Sequence, residues 1–220
     1  MPADVALEKA AKDIAALNPF SAAAKAGCDF RDGKFHLKFF NRLFLVDHST
    51  GAIDEPAGGP PLSRGLRLVF LHYIISATGA AIAGEWITYR YLPGANFFEA
   101  RFQSMGISPL ERRFARDLEG FRQACQKLGG DAMSRTGDAS YRFMALPNIP
   151  MGCILNLADE EMPASLTLLF DASAPKYLPT EDLSYVGSYM AFALTRLAPT
   201  AKTESAKAAP RAEDEGEPCC

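Results

Sequence analysis

The stretch LPNIPMGCILNLADEEMPASLTLLFDASAPKYLPTED, residues 146–182, decides the fold because it holds two short apolar runs joined by an acidic connection. The runs lie at residues 152–157 and 165–170, and apolar runs of this length bounded by turn residues are typical of β-strands. Pro150 and Pro163 lie at the edges of the runs, where a missing backbone N–H is tolerated. The stretch therefore predicts an antiparallel hairpin with an acidic loop.

A second group of strands is predicted upstream, where the apolar pattern changes from helical to alternating. Asp32 and Gly33 lie between CDFR and KFHLKFF, and the dipeptide Asp-Gly is favoured in two-residue hairpin turns that need positive φ. Phe35, Leu37 and Phe39 fall on one face of the second predicted strand. The pattern predicts a β-meander that packs one face against helices.

The helices are predicted from apolar residues at helical spacing and from capping residues. Residues 3–17 form an amphipathic helix, and Ser63 and Thr180 are expected to cap two more. Ser108 begins a capping box for a helix that is predicted to run to Leu128. Together these patterns predict an α+β fold. It consists of a mixed, largely antiparallel sheet, made of the N-terminal meander and the C-terminal hairpin, packed against several helices.

Composition sets the domain organisation and excludes one class of partner. Of the 220 residues, 48% are hydrophobic and 22% are charged, which is enough for one substantial core. We expect a single globular domain over residues 1–197. The following residues, 198–220, are rich in Ala, Pro, Lys and Glu and are expected to be disordered. The net charge of −3 gives no general attraction to phosphate backbones, so nucleic acid is not expected as a partner.

The apolar and cysteine patterns predict a cytoplasmic protein that does not enter a membrane. Charges interrupt the first residues, so a signal peptide is not indicated. The most apolar segment, residues 68–83, is shorter than the roughly 20 residues that span a bilayer. The five cysteines are scattered, which argues against a disulfide framework. Cys219 and Cys220 are interpreted as incidental, with soft-metal binding, disulfide exchange and prenylation as alternatives.

An aromatic and basic stretch is the first candidate site. Residues 86–92 alternate like a strand, and Trp86, Tyr89, Arg90 and Tyr91 combine ring surfaces with a positive charge. Such side chains bind planar or anionic cofactors by stacking and charge pairing. A core junction between a sheet and a helix has the same composition, and this alternative is favoured. The pattern does not identify the cofactor.

The acidic loop is the second candidate site. Asp159, Glu160 and Glu161 carry carboxylates, which serve as metal ligands and as general bases. Adjacent acids point in different directions, so the loop supplies at most one or two ligands, and a simple acidic turn is the favoured alternative. His72 is interpreted as a packed, hydrogen-bonded histidine, with a ligand or acid-base role as the alternative. The sequence contains no complete nucleotide-binding or hydrolase motif.

Four short motifs in the C-terminal half resemble a known family. They are LPNIP at residues 146–150, DEEMP at 159–163, LFD at 169–171 and YLPTED at 177–182. With GEWITYRYLPG and the helix that ends in QKLGGD, they make most of residues 3–197 similar to an uncharacterised domain family of anaerobic bacteria and archaea. Some members of that family are fused to a small cysteine-rich domain of iron–sulfur type. The resemblance implies a prokaryotic, cytoplasmic protein in anaerobic redox or corrinoid-linked metabolism, with a small-molecule cofactor or an iron–sulfur protein as its partner.

Two functions follow from these observations. The preferred one is an accessory module that binds a cofactor or partner against the sheet, using residues 86–102 and the acidic loop as its surface. The alternative is a metal-dependent enzyme in which one carboxylate of residues 159–161 acts as ligand or general base, supported by His72 or His36. The sequence does not specify the ligand, the reaction or the oligomeric state.

Overall fold

The computed structural model describes residues 2–59, 61–134 and 136–199, and it shows an α+β protein with two antiparallel sheets. The predicted fold class is confirmed. The N-terminal half contains α1 (Pro2–Ala15), α2 (Pro19–Ala26), β1 (Asp29–Arg31), β2 (Lys34–Phe39), β3 (Arg42–Asp47), β4 (Ile53–Asp54), α3 (Arg64–Ser76) and β5 (Trp86–Thr88). The C-terminal half contains α4 (Glu99–Phe102), α5 (Ser108–Phe114), α6 (Leu118–Lys127), β6 (Asp131–Ala132), β7 (Ala139–Leu146), β8 (Ile149–Asn156), β9 (Ser165–Asp171) and α7 (Thr180–Leu197).

The predicted meander and hairpin belong to two separate sheets. The first has the strand order β1-β2-β3-β4, and the second has the order β5-β9-β8-β7-β6. Phe40 turns the chain out of β2 in a left-handed conformation with a φ of 51°. Its backbone N–H donates to the carbonyl of Ala145, at the end of β7, over 2.8 Å. This bond joins the two sheets at one corner.

The first sheet forms as its sequence pattern predicts. Asp32 and Gly33 have φ angles of 53° and 73°, which is the left-handed geometry of a tight hairpin turn. Phe35, Leu37 and Phe39 are completely buried on one face. The ring of Phe39 lies 5.0 Å from that of Phe70 in α3 and 4.6 Å from that of Tyr189 in α7. The inner face of this sheet therefore packs against both helices.

The second sheet contains the hairpin of β8 and β9, in which Met151 pairs with Phe170 and Cys153 pairs with Leu168. All four side chains are buried. In the neighbouring strand β7, Arg142 lies on the opposite face of the sheet from these four side chains, and it is exposed. On the inner side α7 packs against α3, α5 and α6. The long C-terminal helix is thus the element that α3, α5 and α6 share.

The prediction of one helix from Ser108 to Leu128 is wrong. Ser108 is not a cap, because α4 and a π-helical turn (Gln103–Ile107) lead directly into α5. The helix then breaks before Asp117, whose side chain accepts a hydrogen bond of 2.8 Å from the backbone N–H of Gly120 and caps α6. An aspartate that satisfies a free N–H group at a helix start stabilises a new helix there.

Two further local predictions are corrected. The strand predicted over residues 86–92 ends at Thr88, and a 3₁₀ turn follows (Tyr89–Tyr91), because the Tyr89 ring turns into the core and stacks on Phe102 at 4.0 Å. Thr180 is not a cap, since it lies inside the first turn of α7. Its hydroxyl donates to the carbonyl of Pro93 over 2.6 Å, which fastens the loop after β5 to this helix.

Within the described part of the chain, no helix combines the length and the apolar character that crossing a membrane requires. Residues 200–220 lie outside the described residues, and they include most of the segment predicted to be disordered as well as Cys219 and Cys220.

Candidate functional site

The acidic loop between β8 and β9 uses one of its carboxylates to hold its own shape. The side chain of Asp159 accepts hydrogen bonds from the backbone N–H groups of Glu161, at 2.9 Å, and Met162, at 2.7 Å. These bonds favour the ionised carboxylate and lower the pKa of Asp159 below its usual value. Glu160 and Glu161 are exposed beside it. Asp159 therefore acts first as a turn residue.

The metal site expected at this loop stays a prediction. Among residues 2–59, 61–134 and 136–199 there is no group of three or more His, Cys, Asp and Glu side chains placed to hold a metal ion. His72, which the sequence offers as a supporting residue, is paired with Asp182. His36 lies on the first sheet, where its ring nitrogens are within 3.3 Å of the Arg31 guanidinium.

The aromatic candidate site does not come together in one cavity. Trp86 is half-buried and borders a cavity of about 510 Å³ that is lined by residues from all five strands of the second sheet. Tyr89 is buried, its hydroxyl donates to the carbonyl of Thr180 over 3.1 Å, and desolvation raises its pKa to about 12. Arg90 is exposed and lies 3.6 Å from a carboxylate oxygen of Glu99, and Tyr91 is 72% exposed. Tyr89 matches the core interpretation, and cofactor binding by these four residues stays a prediction.

A groove lies between the beginning of α3 and the middle of α7. Its volume is about 720 Å³, which lies within the usual range of small-molecule sites. Side chains from β3, from α4 and from the π-helical turn after α4 complete its walls. We call it the arginine groove, and it is lined by Arg42, Pro61, Leu62, Ser63, Arg64, Gly65, Leu66, Leu68, Arg101, Met105, Tyr185, Ser188, Tyr189 and Phe192.

The charges of the arginine groove all have the same sign in the described part of the chain. Arg42, Arg64 and Arg101 are its charged lining residues, and no aspartate or glutamate lines it. Neither Arg64 nor Arg101 has a carboxylate within ion-pair distance among the described residues. Because the chain as a whole carries a net charge of −3, the groove is a local positive region on an acidic protein.

Arg42 is held rigidly at one wall of the groove. It forms two hydrogen bonds to the carboxylate of Glu55, one of them 2.6 Å long, and its Nη1 donates to the hydroxyl of Tyr189 over 2.8 Å. The hydrogen bond to Glu55 raises the pKa of Arg42 above its usual value. Glu55 itself is only 11% exposed in its side chain. Arg42 is thus largely compensated, and it positions Tyr189 at the groove.

Arg101 lies at another wall, on an aromatic surface. Its guanidinium carbon is 4.2 Å from the centre of the Tyr185 ring, which is the geometry of a cation–π contact. The same ring contacts the backbone of α3 at Gly65. A Cβ atom at Gly65 would lie 2.5 Å from Cε1 of Tyr185, so only glycine lets the ring approach this closely. The contact keeps Arg101 over Tyr185 at the wall of the groove.

The start of α3 adds polar groups at the same place. The Ser63 hydroxyl caps the helix by accepting from the backbone N–H of Leu66 at 3.4 Å. By helix geometry the N–H groups of Arg64 and Gly65 have no partner within the helix, and the positive end of the helix dipole favours an anion. Apolar side chains occupy the outer part of the groove, where Met105 is 52% and Phe192 is 56% exposed. The groove therefore combines cationic and apolar surfaces.

A histidine–aspartate pair lies beside the groove, between α3 and α7. His72 Nδ1 and Asp182 Oδ2 are 2.6 Å apart. The hydrogen bond to Asp182 raises the pKa of His72 above its usual value, against the opposing effect of desolvation. Asp182 is buried and His72 is half-buried. The interpretation of His72 as a hydrogen-bonded histidine agrees with this geometry, but sequence reasoning did not identify its partner.

The described cysteines are not arranged for reactivity. Cys125 and Cys153 are completely buried, and burial raises the pKa of both thiols. Burial also raises the pKa of Cys28, to about 11. A thiol that stays protonated at neutral pH is a poor nucleophile. These residues behave as small core side chains.

The arginine groove brings several kinds of side chain together. It offers cationic donors, hydroxyl groups, two tyrosine rings and an apolar outer rim. Sequence reasoning missed it because Arg42, Arg64 and Arg101 lie on three different elements. One local signal was present, since Ser63 was correctly recognised as the cap of α3.

Comparison with known proteins gives a family. The model of a family described as a domain of unknown function (DUF3786) matches residues 18–193. The chain therefore belongs to this family, and the match covers both sheets and most of α7. No curated protein and no solved structure matches the chain.

Proposed function

We propose that this member of the DUF3786 family is a binding module that holds a small amphipathic anion in the arginine groove. This is the accessory-module hypothesis, with its binding surface moved from residues 86–102 and the acidic loop to the space between α3 and α7. One observation carries the proposal: a cavity of about 720 Å³ is lined by three arginines and no carboxylate. A place in anaerobic redox or corrinoid-linked metabolism stays a prediction that the resemblance implies.

The division of roles within the groove supports an anion with an apolar or aromatic part. Arg101 and Arg64 supply charge, because neither is compensated by a described carboxylate. Hydrogen bonds between a charged donor and an anion contribute roughly 1.5–3 kcal/mol each. Leu68, Met105 and Phe192 supply apolar surface, and each square ångström of it that a ligand covers contributes about 25 cal/mol. A purely inorganic anion would leave this surface unused.

The proposal is tested with two matched dyes. The fluorescence of 8-anilinonaphthalene-1-sulfonate is titrated against the native protein, and N-phenyl-1-naphthylamine provides the same rings without the sulfonate. We expect saturable binding of the sulfonate at one site. Arg101→Met is expected to weaken sulfonate binding about tenfold, equivalent to the loss of about 1.4 kcal/mol, and to leave the neutral dye unaffected.

The control variant is Arg67→Met, because Arg67 is an exposed arginine of α3 that does not line the groove. It should bind both dyes like the native protein. Far-ultraviolet circular dichroism with a cooperative unfolding transition establishes that each variant is folded. Sulfonate binding that is non-saturable, or equal in native protein and Arg101→Met, would refute the proposal.

A further inference from the structure

The His72–Asp182 pair lies on the same two helices, α3 and α7, that line the arginine groove. Gly65 of α3 contacts Tyr185 of α7, and further along α3 His72 contacts Asp182 of α7. Residue numbers rise along one helix while they fall along the other, so the two helices run antiparallel where they meet. The groove and the pair therefore belong to one seam between α3 and α7.

Helical spacing places the pair on the same faces as the groove. His72 follows Leu68 by four residues and Gly65 by seven, which are the intervals that repeat on one side of a helix. Asp182 precedes Tyr185 by three residues, again one turn along the same side. At a rise of 1.5 Å per residue, His72 lies about 10 Å from Gly65 along α3. The pair is one turn beyond the end of the groove.

The imidazole has one nitrogen engaged and one nitrogen available. Asp182 Oδ2 accepts the Nδ1–H of His72, and the Asp182 side chain is only 9% exposed. The His72 side chain is 36% exposed, so its Nε2 is the nitrogen that a ligand can reach. When His72 is protonated, Nε2–H becomes a hydrogen-bond donor, and when it is neutral with Nδ1–H retained, Nε2 can only accept. Only the protonated ring therefore donates to an anion.

Charged groups from two helices surround the ring and act on its protonation. On α7, Asp182 and Glu181 favour the charged imidazolium, and on α1 Lys9 opposes it. The net result is a His72 pKa above its usual value of ~6.5. A raised pKa means that the ring carries its second proton at about pH 6 and loses it as the pH rises through the raised value.

We propose that His72 is a second anion-binding point of the arginine groove, so that the ligand is an elongated molecule with two acidic groups about 10 Å apart. One acidic group is held by Arg101 and the start of α3, and the other accepts a hydrogen bond from Nε2–H of His72. This inference rests on the proposed function and specifies its ligand class. Elongated dicarboxylates and phosphorylated carboxylates both fit the description.

The test compares decanedioate with decanoate, which share a carbon chain but differ in the second carboxylate. Each is used to displace 8-anilinonaphthalene-1-sulfonate from the full chain at about pH 6 and at about pH 9, which favour the protonated and the neutral imidazole respectively. We expect decanedioate to bind about tenfold more tightly than decanoate at about pH 6 and no more tightly at about pH 9. In His72→Gln the tenfold advantage should be absent at both pH values.

His36→Gln is the control, because His36 lies on the first sheet, outside the groove, and this variant should keep the pH-dependent advantage. Unchanged decanoate affinity in His72→Gln shows that the groove itself is intact. Equal affinity of the two acids at both pH values would overturn the role of His72 while leaving the proposed function in place. An advantage that survives in His72→Gln would overturn it as well. The proposed function fails separately, through the Arg101→Met result.

Discussion

The acidic loop and the arginine groove both concentrate charge of one sign, but they do so in opposite ways. Asp159, Glu160 and Glu161 are adjacent in the sequence, and the loop commits Asp159 to its own backbone N–H groups. Arg42, Arg64 and Arg101 lie far apart in the sequence and converge on one cavity. The difference teaches that charged side chains adjacent in the sequence point in different directions, whereas the fold can bring charged side chains from distant elements to one cavity. Of these three arginines, Arg42 is paired with Glu55, and Arg64 and Arg101 have no carboxylate within ion-pair distance among the described residues.

Removal of Arg42 is expected to have the largest effect on the protein, because Arg42 is the groove arginine with a buried partner. Arg42→Ala leaves the carboxylate of Glu55, which is 11% exposed, without its cation. Leaving a buried charge without its partner is costly. Because the Arg42 side chain is 31% exposed, the pair is only partly buried, and we expect a loss of about 2 kcal/mol in the free energy of unfolding. Urea denaturation of native protein and variant measures this loss.

The matched control is the double variant Arg42→Ala with Glu55→Gln. It leaves no unpaired charge at the wall, so more than half of the lost stability should return. If the double variant is as unstable as Arg42→Ala alone, the cost comes from lost packing of Arg42 against Tyr189 and Phe44, and the groove wall does not depend on charge pairing.

Gly65→Ala should separate ligand binding from stability in the groove. The new Cβ would meet the Tyr185 ring at 2.5 Å, so the ring has to swing away and the support of Arg101 is lost. Alanine is favoured over glycine inside a helix by up to about 1 kcal/mol, which offsets part of the clash. We expect the free energy of unfolding to change by less than about 1 kcal/mol.

The sulfonate dye should bind Gly65→Ala several-fold more weakly than it binds the native protein. Gly58→Ala provides a comparison, because a Cβ atom at Gly58 meets no neighbouring atom within 4 Å although its φ of 72° is unfavourable for alanine. Unchanged dye affinity in Gly65→Ala would show that the Tyr185 ring does not shape the groove.

Changes in the acidic loop should have the smallest effect. Asp159→Asn keeps an oxygen that can accept from the Glu161 and Met162 N–H groups, so the turn is expected to survive. Dye binding in the groove should equal that of the native protein. The same variant tests the metal prediction, together with Glu160→Gln. Elemental analysis measures whether the native protein holds a stoichiometric divalent ion. If it does, and if both changes remove the ion, the loop contains a metal site and its contrast with the groove is weaker.

Much of the fold could be predicted from local sequence because local interactions determine those elements. The turn at Asp32 and Gly33 needs positive φ, and the alternation of Phe35, Leu37 and Phe39 needs only a strand with one buried face. The break at Asp117 was missed because the apolar spacing of residues 108–128 continues through it. Ser108 and Asp117 are both suitable helix caps, and the conformation of the preceding chain decides which of them begins a helix. Here the chain is already helical before Ser108, so only Asp117 acts as a cap.

The candidate site could not be predicted because its parts meet only in the folded chain. Arg42 pairs with Glu55 and Tyr189, and His72 pairs with Asp182 across 110 positions of sequence. Neither pairing leaves a local pattern. Tyr89 was chosen as a candidate because it lies in an aromatic and basic stretch of sequence. In the fold its ring fills the core. Composition indicates which side chains could bind a ligand, and topology determines which of them meet.

The pairing of β5 with β9 also has a consequence for the order of assembly. Trp86 is the single tryptophan of the chain, and it pairs with Asp171, far along the sequence, at the edge of the second sheet. Closing so long a stretch of chain has a high entropic cost, whereas the turns of the first sheet close over a few residues. The fluorescence of Trp86 is therefore positioned to report this long-range closure, which we expect after the hairpin of β2 and β3 has formed.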